Sequence, residues 1–108
     1  DWALTPNFTP DNKISSYHLY MLRINDISEE TRDKIIAEIS ENQVAVNVHF
    51  QPLPLLTAFK SEFKMSDYPV AFNNYACEIS LPVYFNLTDE QAKTVIDTVV
   101  SAVEKFVG

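Results

Sequence analysis

Glycine is almost missing: of 108 residues only Gly108, the last, is one. Loops that cradle phosphates need glycine, because the backbone must take positive φ and approach the anion with no Cβ in the way. A P-loop, a dinucleotide-binding turn and a G-x-S-x-G nucleophile elbow are therefore excluded. Cysteine is as scarce. Cys77 stands alone, which rules out an internal disulfide and a thiolate metal cluster, and its apolar helical surroundings predict a buried, inert thiol. Positive charge is also short. Eight Lys plus Arg face fifteen Asp plus Glu, a net charge of −7, and the cations are scattered singly. Without a basic face to displace counterions, nucleic acid is not an expected partner, and an anionic membrane surface would repel the chain. No apolar run nears the ~20 residues of a bilayer span, and no signal-peptide pattern opens the sequence, so the cytoplasm is the expected location.

What is present suits one packed domain. The length is that of a single core, and 46% of the residues are apolar, with seven Phe, five Tyr and one Trp. Residues 1–14, with Pro6 and Pro10 among polar neighbours, read as an extended connector, and a start at Asp1 rather than Met suits a piece of something longer. Ser16 to Ile24 is apolar in both alternation phases and predicts a central strand covered on both faces. Ser28 predicts an N-cap, with Glu29 and Glu30 favoured in the first turn by the helix dipole. Ile35, Ile36 and Ile39 predict the buried stripe of a helix ending near Asn42.

Gln43 to Phe50 carries the clearest strand pattern. Val44, Val46, Val48 and Phe50 are predicted to point to the core, and Ala45, Asn47 and His49 away from it. A short helical turn is expected over 56–63, then a helix with Pro69 in its first turn running to about Glu78. Ile79 to Phe85 is a third strand, marked by Pro82 as an edge. Thr88 with Gln91 makes a capping box, and Ala92, Val95, Ile96, Val99, Val103 and Phe106 form the apolar side of a last helix. The expected fold is α/β in the α+β sense: a small, three-stranded, mainly antiparallel sheet with helices on one face and the other face open to a partner.

His18 and His49 are the only histidines, and neither has acids at ligand spacing, so no metal site is expected. His18 falls in the strand predicted to be buried, where a structural imidazole is the simpler reading. His49, beside Asn47 on the face away from the core, can donate to a phosphate, hydroxyl or carboxylate. Glu29 with Glu30, and Asp89 with Glu90, sit in first helical turns, where the dipole explains them. No constellation in the chain makes an enzyme, so no catalytic residue is expected within it.

Three segments taken together point further: Ser15-Ser16-Tyr17-His18-Leu19-Tyr20, Val46-Asn47-Val48-His49-Phe50-Gln51-Pro52-Leu53, and Ile79-Ser80-Leu81-Pro82-Val83-Tyr84. With Tyr68-Pro69-Val70-Ala71 and the helix start Leu87-Thr88-Asp89-Glu90-Gln91, their order and spacing resemble the C-terminal portion of the DegT/DnrJ/StrS family of sugar aminotransferases. The resemblance implies a pyridoxal phosphate (PLP) enzyme that moves an amino group, usually from glutamate, to a nucleotide-linked keto sugar. It implies the fold of the type I aminotransferases, with residues 15–108 as the small domain, and as partners a large PLP-binding domain of the same chain and a homodimer mate. The Schiff-base lysine and the acid that pairs with the ring nitrogen belong to that large domain, so no PLP is expected on this chain alone. The resemblance would bring the sheet face bearing His49 and Asn47 to the substrate cleft, and His18 is a further substrate-binding candidate. Many members carry tyrosine where Phe50 stands and histidine where Pro54 stands. Two other readings compete: a freestanding ligand-binding or dimerising module, and a hydrolase built on Ser80, His49 and a carboxylate.

Overall fold

The computed structural model describes residues 2–108. Asp1, the first residue of the expected connector, lies outside the described residues. Three antiparallel strands, β1 (Ala3–Leu4), β2 (Tyr20–Ile24) and β3 (Glu78–Leu81), lie in the order β1-β2-β3. Three α-helices accompany them: α1 (Glu29–Glu41), α2 (Pro69–Ala76) and α3 (Asp89–Val107). Two 3-10 turns, Leu53–Leu55 and Met65–Asp67, lie between α1 and α2.

The helix starts follow their local chemistry. Ser28 Oγ accepts from the Thr31 amide at 3.2 Å and Glu29 and Glu30 occupy the first turn of α1. Pro69 opens α2, where its missing N–H is no loss. At α3 the box closes both ways: the Gln91 amide donates to Thr88 Oγ1 at 3.2 Å and the Thr88 amide to Gln91 Oε1 at 3.0 Å. Ile35 and Ile39, one turn apart on α1, and Val99, Ala102 and Val103 on α3 meet Leu22, Ile24 and Ile79 of the sheet in one aliphatic core. Ile96 departs from the expected stripe. It lies about 100° round the helix from Val95 and is 56% exposed. Phe106, in the last turn, is also exposed.

The sheet has the expected size and sense but different members. The strand expected over 16–24 begins only at Tyr20, because Tyr17 sits in the left-handed region at φ 54 and its amide is drawn to Ser15 Oγ. His18 therefore lies outside the strand and is exposed, not a core imidazole. β2 is central but not covered on both faces: Leu22 and Ile24 are buried, while Met21 is exposed. The strand expected over 43–50 shrinks to one bridge, in which Asn47 and Ser80 exchange amides at 3.2 and 2.8 Å. Side chains take the donors that a ladder would use. Asn47 Oδ1 accepts from the Val48 amide at 2.8 Å, and the Glu78 carboxylate accepts from the His49 amide at 2.9 Å.

The valine alternation still sorts the first half of this segment, with Val44 buried and Val46 packed against the core. It fails at the end, where Phe50 is 73% exposed. The third strand comes instead from the expected connector. Ala3 pairs with Ile24 and Leu4 with Arg23, Trp2 packs on the core, and the Asn25 amide donates to the Trp2 carbonyl at 2.7 Å. β3 stops at Leu81, before Pro82 can leave a gap in the ladder. Helix α2 ends at Ala76, so Cys77 is its cap and is half-buried, with Sγ 3.8 Å from the Asn74 carbonyl. Among the described residues no helix is long and apolar enough to cross a membrane.

Candidate functional site

Strand alternation gives the two sheet faces different chemistry. Leu22 pairs with Ile79 on the helix side, whereas Met21 pairs with Ser80 and Arg23 with Glu78 on the other. That second face was expected to be open, yet Glu78 is only 2% exposed and Ser80 4%. The segment from Asn47 to Phe50 starts beside the free edge of β3, where Asn47 bridges Ser80, and meets the Glu78 side chain of this face at His49. Helix α2 borders the face. Together they leave a groove of about 330 Å³ walled by Met21, Arg23, His49, Asn74, Tyr75 and Glu78.

The polar wall residues are held by hydrogen bonds, the His49 ring excepted. Arg23 Nη1 donates to Asn74 Oδ1 at 2.5 Å, which ties β2 to α2. Glu78 Oε2 accepts the His49 amide and its Oε1 accepts the Ser80 hydroxyl. The His49 ring meets Phe50 edge-on, with centroids 4.7 Å apart. Its Nδ1 is buried without a hydrogen-bond partner, whereas a buried ring nitrogen is ordinarily paired.

Behind the groove, Arg32 joins α1 to the turn from α2 into β3. It is 2% exposed, donates to the Tyr75 carbonyl at 2.8 Å and to Asp33 Oδ1 at 2.7 Å, and lies 4.8 Å from the Tyr75 ring centroid. Burial works against its charge, but the hydrogen bonds to Asp33 and Tyr75 more than offset it and the guanidinium pKa is raised. Tyr75 donates to Glu29 Oε1 at 2.5 Å; burial first, then that bond, raises the phenol pKa.

The three residues singled out from the sequence do come together. His18, Asn47 and His49, with Ser80, border a second depression of about 360 Å³ where the Asn47 segment bridges β3. They are not equivalent. Asn47 Oδ1 is engaged by the Val48 amide, His18 is an exposed loop side chain, and His49 alone reaches both hollows. Ser80 donates to Glu78 rather than to His49, so the geometry holds no Ser–His pair for hydrolysis. Glu78 and Arg23 escaped the sequence reading because Glu78 was placed in the preceding helix. An acid two residues before Ser80 in an apolar strand is the signal that would have set both on one face.

Among the described residues no group of three or more His, Cys, Asp or Glu is placed to hold a metal ion. PLP needs an amine for its aldehyde and an acid for its ring nitrogen. All six lysines are exposed and none borders either hollow, and Lys34, Lys93 and Lys105 are paired with Glu30, Asp97 and Glu38. The residues of this chain do not by themselves fit the cofactor.

Residues 2–100 match the DegT/DnrJ/EryC1/StrS aminotransferase family. MJ1066 of Methanocaldococcus jannaschii is 42% identical over 95 residues, which covers 85% of this chain and 24% of that protein. The spore coat polysaccharide biosynthesis protein SpsC of Bacillus subtilis is 31% identical over 100 residues, 89% of this chain and 25% of SpsC. Among solved structures, Spr1654 of Streptococcus pneumoniae, described as a sugar aminotransferase and solved in a PLP form, superposes with a TM-score of 0.94 at 38% identity. The match covers 97% of this chain and 27% of that one. The chain thus spans about a quarter of the length of the relatives it matches.

Proposed function

This chain belongs to the DegT/DnrJ/EryC1/StrS aminotransferase family, and from that premise we propose that residues 15–108 are the small C-terminal domain of a PLP-dependent, cytoplasmic, homodimeric sugar aminotransferase. The parent enzyme moves an amino group from an amino acid, glutamate, to a nucleotide-linked keto sugar. Residues 1–14 lead in from the large domain, which carries the cofactor and the lysine that holds it. In this reading the small domain catalyses nothing itself. It closes the cleft and recognises substrate through the polar face of its sheet.

One observation carries the reading. Nearly the whole chain superposes on a quarter of a sugar aminotransferase at a TM-score of 0.94, and the sheet face turned away from the core presents His49 beside Arg23. An imidazole that borders two hollows can donate to a phosphate or sugar hydroxyl. Arg23 supplies positive charge on that face of a chain whose net charge is −7, which suits an anionic nucleotide. His49 is the first substrate residue, with Asn47 and His18 beside it along the second depression.

The test needs the full-length polypeptide. His49→Ala is expected to lower kcat/KM for the nucleotide sugar by roughly tenfold or more, a loss of about 1.4 kcal/mol of transition-state binding. A change within about twofold would remove His49 from the substrate site.

A further inference from the structure

Glu78 is the anomaly of the fold. A carboxylate that is 2% exposed forfeits its hydration, and such burial is costly unless its oxygens find strong donors. It has two. Ser80, two residues on along the same strand, gives its hydroxyl to Oε1, and the His49 amide gives its hydrogen to Oε2 at 2.9 Å. The first bond aims the carboxylate and the second engages it with the segment that follows the Asn47 bridge.

That segment has few other restraints. Asn47 is pinned by its bridge to Ser80, and the Val48 amide is satisfied by the neighbouring Asn47 side chain, a local bond that ties it to nothing else. After His49 the chain leaves the sheet: Phe50 is largely exposed, and the next backbone bond accepted is at Pro52, within the following turn. The Glu78 carboxylate is thus the last tether before departure, at the residue whose ring borders both hollows.

We infer that Glu78 is a positioning residue, a buried acceptor that fixes the His49 main chain and thereby aims the imidazole into the groove, with Ser80 fixing the acceptor in turn. The inference rests on the reading of His49 as a substrate residue only for its kinetic consequence; the tether itself is independent of it. A hydrogen bond to a charged oxygen is stronger than one to a neutral carbonyl, which suits a segment with a single bridge behind it. Locally consistent sequences avoid a buried acid, and where they keep one it is commonly serving a site.

Amide hydrogen exchange and steady-state kinetics of the full-length protein test this together. Glu78→Ala should speed exchange of the His49 amide by roughly tenfold or more. Glu78→Gln, whose amide oxygen still accepts, should keep it close to the parent rate. Glu78→Ala should also raise KM for the nucleotide sugar as much as His49→Ala does, with no further rise in the double variant. Ser80→Ala leaves the acid in place and should give an intermediate acceleration, so the inference stays testable if Glu78→Ala fails to fold. Unchanged His49 exchange in both Glu78→Ala and Ser80→Ala, or in Ser80→Ala alone where the first does not fold, overturns the tether. Fast exchange in Glu78→Ala with kinetics untouched by His49→Ala keeps the tether and sinks only the substrate role of the imidazole.

Discussion

Ile79 and Ser80 are neighbours on one strand, yet they belong to two kinds of interior. Ile79 faces Ile35, Ile39, Val99 and Val103, a surface of aliphatic carbon in which any side chain of similar volume would serve. Ser80 turns its hydroxyl to Glu78 and its main chain to Asn47 at the strand edge, where burial is matched by named hydrogen bonds. The helix side is closed by this chain alone. The groove side is only partly closed, with Met21 and Phe50 left exposed and His49 Nδ1 unpaired. A face finished in hydrocarbon stores stability, whereas on the polar face burial is matched by specific hydrogen bonds that fix geometry.

Breaking the first interior should cost most. Ile79→Ala leaves a hole beneath two helices and is expected to lower unfolding free energy by about 2–5 kcal/mol in urea melts. A loss under ~1 kcal/mol would mean that the helices do not seal that face. Less is expected at the seam between the two interiors, where Tyr75 reaches Glu29. Tyr75→Phe should cost about 1–2 kcal/mol near neutral pH. Because the folded state raises the Tyr75 pKa above its ordinary 10.0, that stability is complete below this value and lost as the pH climbs through and past it. The phenylalanine variant should lack that alkaline step in a pH series of melts. Least is expected at Ile96, which the helical stripe assigned to the core and the fold leaves 56% exposed. Ile96→Lys should change the stability of the 108-residue chain by under ~0.5 kcal/mol. A larger loss would return Ile96 to the core.

Legibility followed the range of the interaction. The caps at Ser28 and Thr88 and the proline at the head of α2 are arranged within four residues, and all appear where the sequence places them. The stripe Ile35, Ile39, Val99 and Val103 was equally readable, since helical periodicity alone sets it. The strands were not. Alternation over Val44, Val46 and Val48 is a true sign of a segment lying against a core, but it cannot say whether the amides find a neighbouring strand or a side-chain acceptor. Here Asn47 and Glu78 capture two of them, and Ala3–Leu4 pairs along β2 instead. His49 was singled out because the valine alternation puts it on the face away from the core. Glu78 and Arg23 were missed because nothing local distinguishes an acid in a strand from an acid ending a helix.

From the sequence alone came the chemical class of the molecule: an acidic domain without phosphate loops, disulfides or a basic face, its helices capped and striped for one aliphatic core. The resemblance in its motifs also named the family to which residues 2–100 belong. Which strand completes the sheet, where Arg32 is buried, and that Glu78 holds the main chain of His49 were decided only in three dimensions. The reason is reach. Caps and stripes are fixed by neighbours a turn away, whereas the Glu78–His49 bond spans 29 positions and exists only once the core has brought its partners together.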